Sequence, residues 1–273
     1  MSNLNSLPKF KDRISFIYLE HVIITKNNNG VVFYNKDEQN SPIPIANLAL
    51  LMIGPGVSIS SAAIQEIGDS GCLTVWCGEH GTKYYASGNG YTSSSKNIMK
   101  QMDLFFDQKK REETARKMFR YRFGENENID GLTINELRGK EGIRIKNSYK
   151  DIAKKFNVNW KCRSYDPLNM NYGDASNLCL STANNCLYGI CHSAILSLGY
   201  STAIGFIHEG HQTSFVFDIA DLYKVEVSIP IAFSCVSEDN NKSMNNTRIK
   251  MRDYFNDNKF LKRVVNDIED ILS

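Results

Sequence analysis

The sequence predicts an α+β protein: an N-terminal β-rich, sandwich-like domain followed by a mainly α-helical domain. Three observations lead there. Through about residue 90, short β-branched and apolar runs alternate with Gly, Pro and Asn turns. A Gly- and Ser-rich stretch follows, Ser87-Gly88-Asn89-Gly90-Tyr91-Thr92-Ser93-Ser94-Ser95. Beyond it the apolar spacing changes from strand-like to helical. The predicted boundaries are 1–88 for the β-rich domain, 89–95 for the linker and 96–273 for the helical domain.

Five strands are predicted, at 14–19, 22–25, 31–34, 49–53 and 73–77. Asn27-Asn28-Asn29-Gly30, Gly54-Pro55-Gly56 and Gly78-Glu79-His80-Gly81 separate them. One short helix interrupts them, capped by Ser60 or Ser61 and ended by Gly68. After the linker, Ile98, Met102, Phe105, Phe106, Met118 and Phe119 predict one long helix from 96 to about 123. Thr133, with Glu136 three residues on, predicts a capping box. The helix it opens carries Ile143, Ile145, Tyr149, Ile152 and Phe156 toward a core. A buried helix is predicted over 174–198, and another from Ser214 that Pro230 should kink or stop. Helical pieces at 245–256 and 258–272 close the chain.

Composition is that of a globular protein, with 42% hydrophobic and 23% charged residues, so disorder is not the default. No apolar run is long enough to span a bilayer, so no membrane partner is expected. The N-terminus lacks the order of a signal peptide. Seven cysteines, without a C-x-x-C pair, speak against a zinc knuckle or a disulfide scaffold. The expectation is a cytoplasmic protein with reduced thiols, several of them buried. The net charge of +2 hides an asymmetry. Residues 91–170 carry 18 basic and 11 acidic side chains (+7), and residues 171–273 carry 8 and 12 (−4). A basic middle before an acid-rich end fits a chain that holds a polyanion in one segment and a cation in the next. The solvated faces of two long helices would give the same count.

Glu141, His208 and Asp221 draw attention by their settings. Glu141 sits in Leu137-Arg138-Gly139-Lys140-Glu141-Gly142-Ile143-Arg144, an acid among bases. His208 lies between an apolar run and Gly210, and Asp221 follows Asp218 by one helical turn. One imidazole with two or three carboxylates can hold Mg²⁺ or Mn²⁺, which polarises a phosphoryl oxygen. Each also has a structural reading. Arg138 and Arg144 make an ordinary ion-pair ladder with Glu141, a lone histidine is commonly a hydrogen-bonded structural group, and paired acids suit a helix N-terminus.

Six segments in one order are more specific. They are Tyr85-Ala86-Ser87-Gly88, Arg116-Lys117-Met118-Phe119-Arg120-Tyr121-Arg122-Phe123-Gly124-Glu125, Leu137-Arg138-Gly139-Lys140-Glu141-Gly142, Arg163-Ser164-Tyr165-Asp166-Pro167, Ala203-Ile204-Gly205-Phe206-Ile207-His208 and Ser214-Phe215-Val216-Phe217-Asp218-Ile219-Ala220-Asp221. From about Lys11 to Leu272, the chain resembles the universal CRISPR adaptation integrase and endonuclease in its subtype I-E form. The resemblance implies a β-rich domain followed by a helical catalytic domain. It implies a homodimer that pairs with the small ferredoxin-like CRISPR adaptation protein. It implies metal-dependent cleavage of double-stranded and branched DNA, and insertion of new spacers by 3′-hydroxyl attack on repeat phosphodiesters.

The resemblance also places residues. The metal ligands fall on Glu141, His208 and Asp221, a further acid on Asp218, and tyrosines near the site on Tyr165 and Tyr188. DNA contacts fall on Arg138, Arg163, Lys224 and Arg248. Phe217 stands where some relatives carry tyrosine, so no hydroxyl is available there. His211 lies in a loop that differs from relatives, and the chain ends at Ser273 without the proline-rich tail of some. Two other functions fit the same residues: a metal-dependent repair nuclease acting on branched DNA, and a non-catalytic DNA-binding scaffold.

Overall fold

A computed structural model of the chain describes residues 9–35, 40–81, 83–88, 94–124, 127–164, 173–238 and 243–273. The α+β class holds, with strands first and helices after. The first sheet has the order β1-β5-β7-β8, formed by β1 (Ile14–Leu19), β5 (Leu48–Ile53), β7 (Leu73–Cys77) and β8 (Tyr84–Gly88). Its first three strands are parallel and β8 is antiparallel to β7. The second has the order β4-β3-β2-β6, from β4 (Asn40–Pro42), β3 (Gly30–Tyr34), β2 (Ile23–Asn27) and β6 (Ser58–Ile59). The β2–β3 hairpin turns through Asn28 and Asn29, with Gly30 at φ 118°.

Every residue of β5, Leu-Ala-Leu-Leu-Met-Ile, is buried. That unbroken apolar run is the mark of a strand covered on both faces. Leu48, Leu51 and Ile53 pack with Ile24 and Val31 of the second sheet and with Ala63 and Ile67 of α1 (Ser61–Asp69). Phe16, Leu50, Met52, Leu73 and Val75 join the main core, which continues into the helices. The strands missing from the sequence reading are β4, β6 and β8. Two are only three and two residues long, and β8 is largely exposed, so none shows a hydrophobic alternation. Ser87 and Gly88, read as the start of the linker run, pair with Val75 and Thr74. Residues 89–93 of the predicted linker lie outside the described residues.

The single helix predicted over 96–123 is two: α2 (Lys96–Phe106) and α3 (Gln108–Phe123). The Asp107 carboxylate accepts from the N–H groups of Lys109 and Lys110, ending one helix and capping the next. α4 (Ile134–Lys155) opens on the predicted Thr133–Glu136 capping box. Ile143 does not face the core and is 66% exposed. It stands two residues from Ile145, about 200° around the helix, on the opposite face.

α5 (Ala175–Ser197), capped by Asp174, runs buried through the centre. It packs directly on the first sheet. A Cβ on Gly189 would meet Leu50 at 2.7 Å, and Ser193 donates to the Ala49 carbonyl at 2.8 Å. α6 (Ser214–Ala220) is short, and a π-helical turn over Lys224–Ser228 leads into α7 (Ile229–Glu238). Pro230 therefore neither kinks nor stops a helix; it sits in the first turn of α7, where a missing N–H costs little. α8 (Ser243–Asp257) and α9 (Phe260–Ile271) complete the chain. Among the described residues no helix is long and apolar enough to cross a membrane. None of the seven cysteines is paired; six are buried and Cys162 is exposed.

Candidate active site

The site is assembled where α4, the 205–213 loop and the stretch after α6 meet. Glu141 projects from the middle of α4, and its side chain is 12% exposed. His208 comes from the loop before α6, and Asp221 is the C-cap residue of α6. All three line one cleft of about 600 Å³ together with Arg122, Arg138, Tyr149 and Lys224.

The loop carrying His208 is held by its own backbone. Asp218 is completely buried in α6. Its Oδ2 accepts from the N–H groups of Phe206 (2.6 Å) and Ile207 (3.0 Å), and its Oδ1 accepts from the N–H of His208 (2.9 Å). The same Oδ1 lies 2.7 Å from His208 Nδ1. A carboxylate can only accept, so Nδ1 carries the proton and Nε2 is the ring atom left for a cation. Gly205 makes this turn possible, since a Cβ there would meet the His208 carbonyl at 2.3 Å and the Ser214 backbone at 2.9 Å. Arg138 adds a tie from α4, donating to the Ile207 carbonyl at 2.5 Å.

The carboxylates are crowded by buried cations. Arg122 Nη1 is 2.5 Å from Glu141 Oε2 and 3.8 Å from Asp221 Oδ2. Lys224 Nζ is 2.6 Å from Asp221 Oδ1, and His208 Nε2 is 3.7 Å from Asp221 Oδ2. Burial by itself would raise the Asp221 pKa, but Lys224 and Arg122 hold it below the usual carboxylate range. Burial would likewise lower the Lys224 pKa. Asp221 and Tyr188 more than reverse this and keep the amine protonated. Glu141 Oε1 is buried without a hydrogen-bond donor, with Arg144 Nη2 3.7 Å away.

These residues fit a hard divalent cation by donor type. Two carboxylates and one imidazole face a common space, and Glu141 Oε1 accepts no hydrogen bond. Among the described residues no three His, Cys, Asp or Glu side chains are already drawn into a metal cage, and Arg122 stands between two of these donors. Asp218 has both oxygens committed to the loop, so its place is to orient His208.

The remaining predicted positions are distributed. Tyr188 of α5 lies beside the cleft, with Lys224 Nζ 5.0 Å from its ring centroid and Phe217 edge-on at 5.2 Å. Phe217 also packs edge-on against the His208 ring, at 6.0 Å, a contact that needs no hydroxyl. Arg163 is turned inward. It donates to the Ser164 and Asn177 carbonyls, to Asn177 Oδ1 and to Ser181, and it lines a second cavity with Tyr84, Tyr188 and His192. Arg248 of α8 stacks on Tyr18 of β1, 3.8 Å from its centroid, and lines neither cavity. His211 is exposed in the loop. Tyr165 lies outside the described residues.

Arg122 is the residue that motif reading passed over. Its signal is positional: it extends the apolar face of Ala115, Met118 and Phe119 on α3, where a charge has no place unless it is paired.

Comparison with known proteins places the whole chain beside one family. The family profile described as CRISPR associated protein Cas1 matches residues 16–129 and 124–269. The chain is 39% identical over 267 residues to a CRISPR-associated endonuclease Cas1 of Clostridium sp. (strain SY8519), covering 96% of this chain and 87% of that one. It is 38% identical over 270 residues to CRISPR-associated endonuclease Cas1 of Escherichia coli (strain K12), covering 99% and 88%. A crystal structure of a TtCas1–DNA complex superposes with a TM-score of 0.86 at 34% identity, covering 94% and 91%.

Proposed function

Because the chain belongs to the CRISPR associated protein Cas1 family, we propose that it is a metal-dependent DNA endonuclease and integrase that inserts new spacers into a CRISPR array. The observation that carries the reading is the meeting of Glu141, His208 and Asp221 in one cleft, with Asp218 turning His208 Nε2 toward it. Glu141, His208 and Asp221 would hold Mg²⁺ or Mn²⁺, which would supply Lewis-acid polarisation of the scissile phosphate. The side chains do the rest. Asp218 fixes the histidine tautomer, and Arg138 clamps the loop that carries it. Lys224 holds Asp221 by one oxygen, leaving the other facing His208. In strand transfer a 3′-hydroxyl of incoming DNA attacks a repeat phosphodiester, one P–O bond forming as the bond to the bridging oxygen breaks and that oxygen leaves as a hydroxyl; water takes the place of the 3′-hydroxyl in simple cleavage.

The substrates are double-stranded and branched DNA, gripped mainly through phosphates. Relatives bearing the family name include a DNA complex, which supports this binding. The working assembly is a homodimer with the small ferredoxin-like adaptation protein, acting in the cytoplasm where the array lies. Arg138, Arg163, Lys224 and Arg248 are the basic residues assigned to the DNA. Arg138, Arg163 and Lys224 are tied to protein partners here, and Arg248 stacks on Tyr18 and donates to Asn245, so they act in part by shaping the surface that DNA meets.

The test is cleavage and strand transfer on a repeat-containing plasmid, with Mg²⁺ or Mn²⁺, for Glu141→Ala, His208→Ala and Asp221→Ala. Each variant is expected to lose both activities while keeping a cooperative melt. Full activity of His208→Ala would overturn the reading in favour of a scaffold. Cleavage without strand transfer in the native protein, with its partner present, would turn it toward a repair nuclease.

A further inference from the structure

Arg122 lies too deep to touch DNA, with its side chain 1% exposed, yet its charge faces the carboxylates of the cleft. Nη1 is 2.5 Å from Glu141 Oε2 and 3.8 Å from Asp221 Oδ2. Nη2 donates to the Asp218 main-chain carbonyl at 3.0 Å, and the guanidinium lies 5.5 Å from the centroid of the Phe119 ring. Nε is buried without an acceptor. Two carboxylates lining one cleft repel each other, and a buried guanidinium without an anion is equally costly, so each requires the other. Lys224 cannot fill this place, because it pairs with Asp221 Oδ1 and is not within ion-pair distance of Glu141.

We propose that Arg122 is the resident counter-cation of the Glu141–Asp221 pair: it holds the two carboxylates together before a divalent ion arrives and yields Glu141 when the ion binds. The inference rests on the ligand assignment made above. Arg122 is thus a positioning residue that also competes with the metal. Its other two anchors, the Asp218 carbonyl and the Phe119 ring, do not involve Glu141, so the released guanidinium stays beside the cleft. The competition makes metal uptake weak in the free protein. The same cation keeps the metal-free site from springing apart.

Removing the charge should therefore have two opposite effects. Arg122→Gln and Arg122→Met should lower the melting temperature of the metal-free protein. They should also bind Mn²⁺ at least about tenfold more tightly, since a unit charge about 4 Å from a divalent ion opposes it strongly even at high effective dielectric. Arg122→Lys retains the charge and should restore native affinity to within about threefold.

The experiment is Mn²⁺ titration of the metal-stripped full chain, read by the spin resonance of free Mn²⁺, with melting curves in parallel. Unchanged or weaker Mn²⁺ binding by both neutral variants would overturn the proposal. Glu141→Gln serves as the separate control: native Mn²⁺ affinity in that variant would fail the ligand assignment, whatever Arg122 does. If neither neutral variant folds, the wild-type protein decides. The Arg122 Nε–H resonance, assigned by its loss in Arg122→Lys, is expected to shift on saturation with Mg²⁺, and an unmoved resonance would overturn the proposal.

Discussion

Replacing Asp218 by Asn tests whether this acid builds the site or binds the metal directly. The side chain is fully buried and accepts four hydrogen bonds, two at each oxygen. Asparagine keeps the shape but offers one accepting oxygen. Whichever way the amide settles, two of the four donors then face an NH₂ group. A buried donor left without an acceptor costs about 1–3 kcal/mol, so the cost is about 2–6 kcal/mol where the NH₂ faces the Phe206 and Ile207 N–H groups and about 1–3 kcal/mol where it faces His208 and the ring changes tautomer to accept. For a chain of this size, that is a fall in melting temperature of roughly 2–10 °C. If the NH₂ faces His208, it donates to Nδ1 and moves the ring proton to Nε2, the atom assigned to the cation. Mn²⁺ binding should then fall together with stability. The assay is urea and thermal unfolding of the metal-free protein, followed by Mn²⁺ titration. The reasoning is refuted if metal-free Asp218→Asn stays within about 0.5 kcal/mol of wild type, the range of a surface substitution. Lost Mn²⁺ binding with unchanged stability would make Asp218 a ligand rather than a support.

Two further outcomes follow from the same geometry. His192 of α5 is 6% exposed, stacks on Tyr84 and places Nδ1 3.2 Å from its hydroxyl, and burial pushes its pKa down to about 4. Between that value and the ordinary imidazole range, the unfolded chain takes up a proton that the folded chain refuses. Stability present above about pH 6.5 is therefore lost as pH falls toward 4, by up to about 3 kcal/mol. Urea midpoints at several pH values should show this slope in the native protein and its absence in His192→Gln; equal slopes would dismiss His192 as the cause. Gly205→Ala puts a methyl group onto the His208 carbonyl and the Ser214 backbone, neither of which can turn aside as a flexible side chain can. It should cost about 1–3 kcal/mol in unfolding and displace His208, seen as reduced Mn²⁺ affinity; native affinity would show that the loop tolerates the shift.

Local chemistry made several elements legible. The Thr133–Glu136 box and the cap read at Ser60 or Ser61, which the structure places on Ser60, each depend on a side chain within three residues of the helix they start. The apolar run at 49–53 announced the strand β5, and the structure buries it on both faces. Motif order brought Glu141, His208 and Asp221 together as candidates before any contact was known. The short strands β4 and β6 and the exposed edge strand β8 carry little or no burial, so they left no period to read. The break at Asp107 came from one carboxylate competing for backbone donors inside a helical pattern, which periodicity does not register.

What the sequence by itself determined was the α+β order and the main elements, which depend on residue type and short spacing, and the order of motifs that proposed Glu141, His208 and Asp221 as the site. Tertiary structure alone decided what each charge does. Asp218 and Asp221 are one turn apart with the same carboxylate, yet one is sealed by three backbone N–H groups and His208 while the other faces the cleft. Arg122 and Arg138 look alike in sequence, yet the first is buried between acids and the second clamps a carbonyl at the cleft wall. Burial and long-range partners set the energy of a charge, and those are properties of the packed chain rather than of its neighbours in sequence.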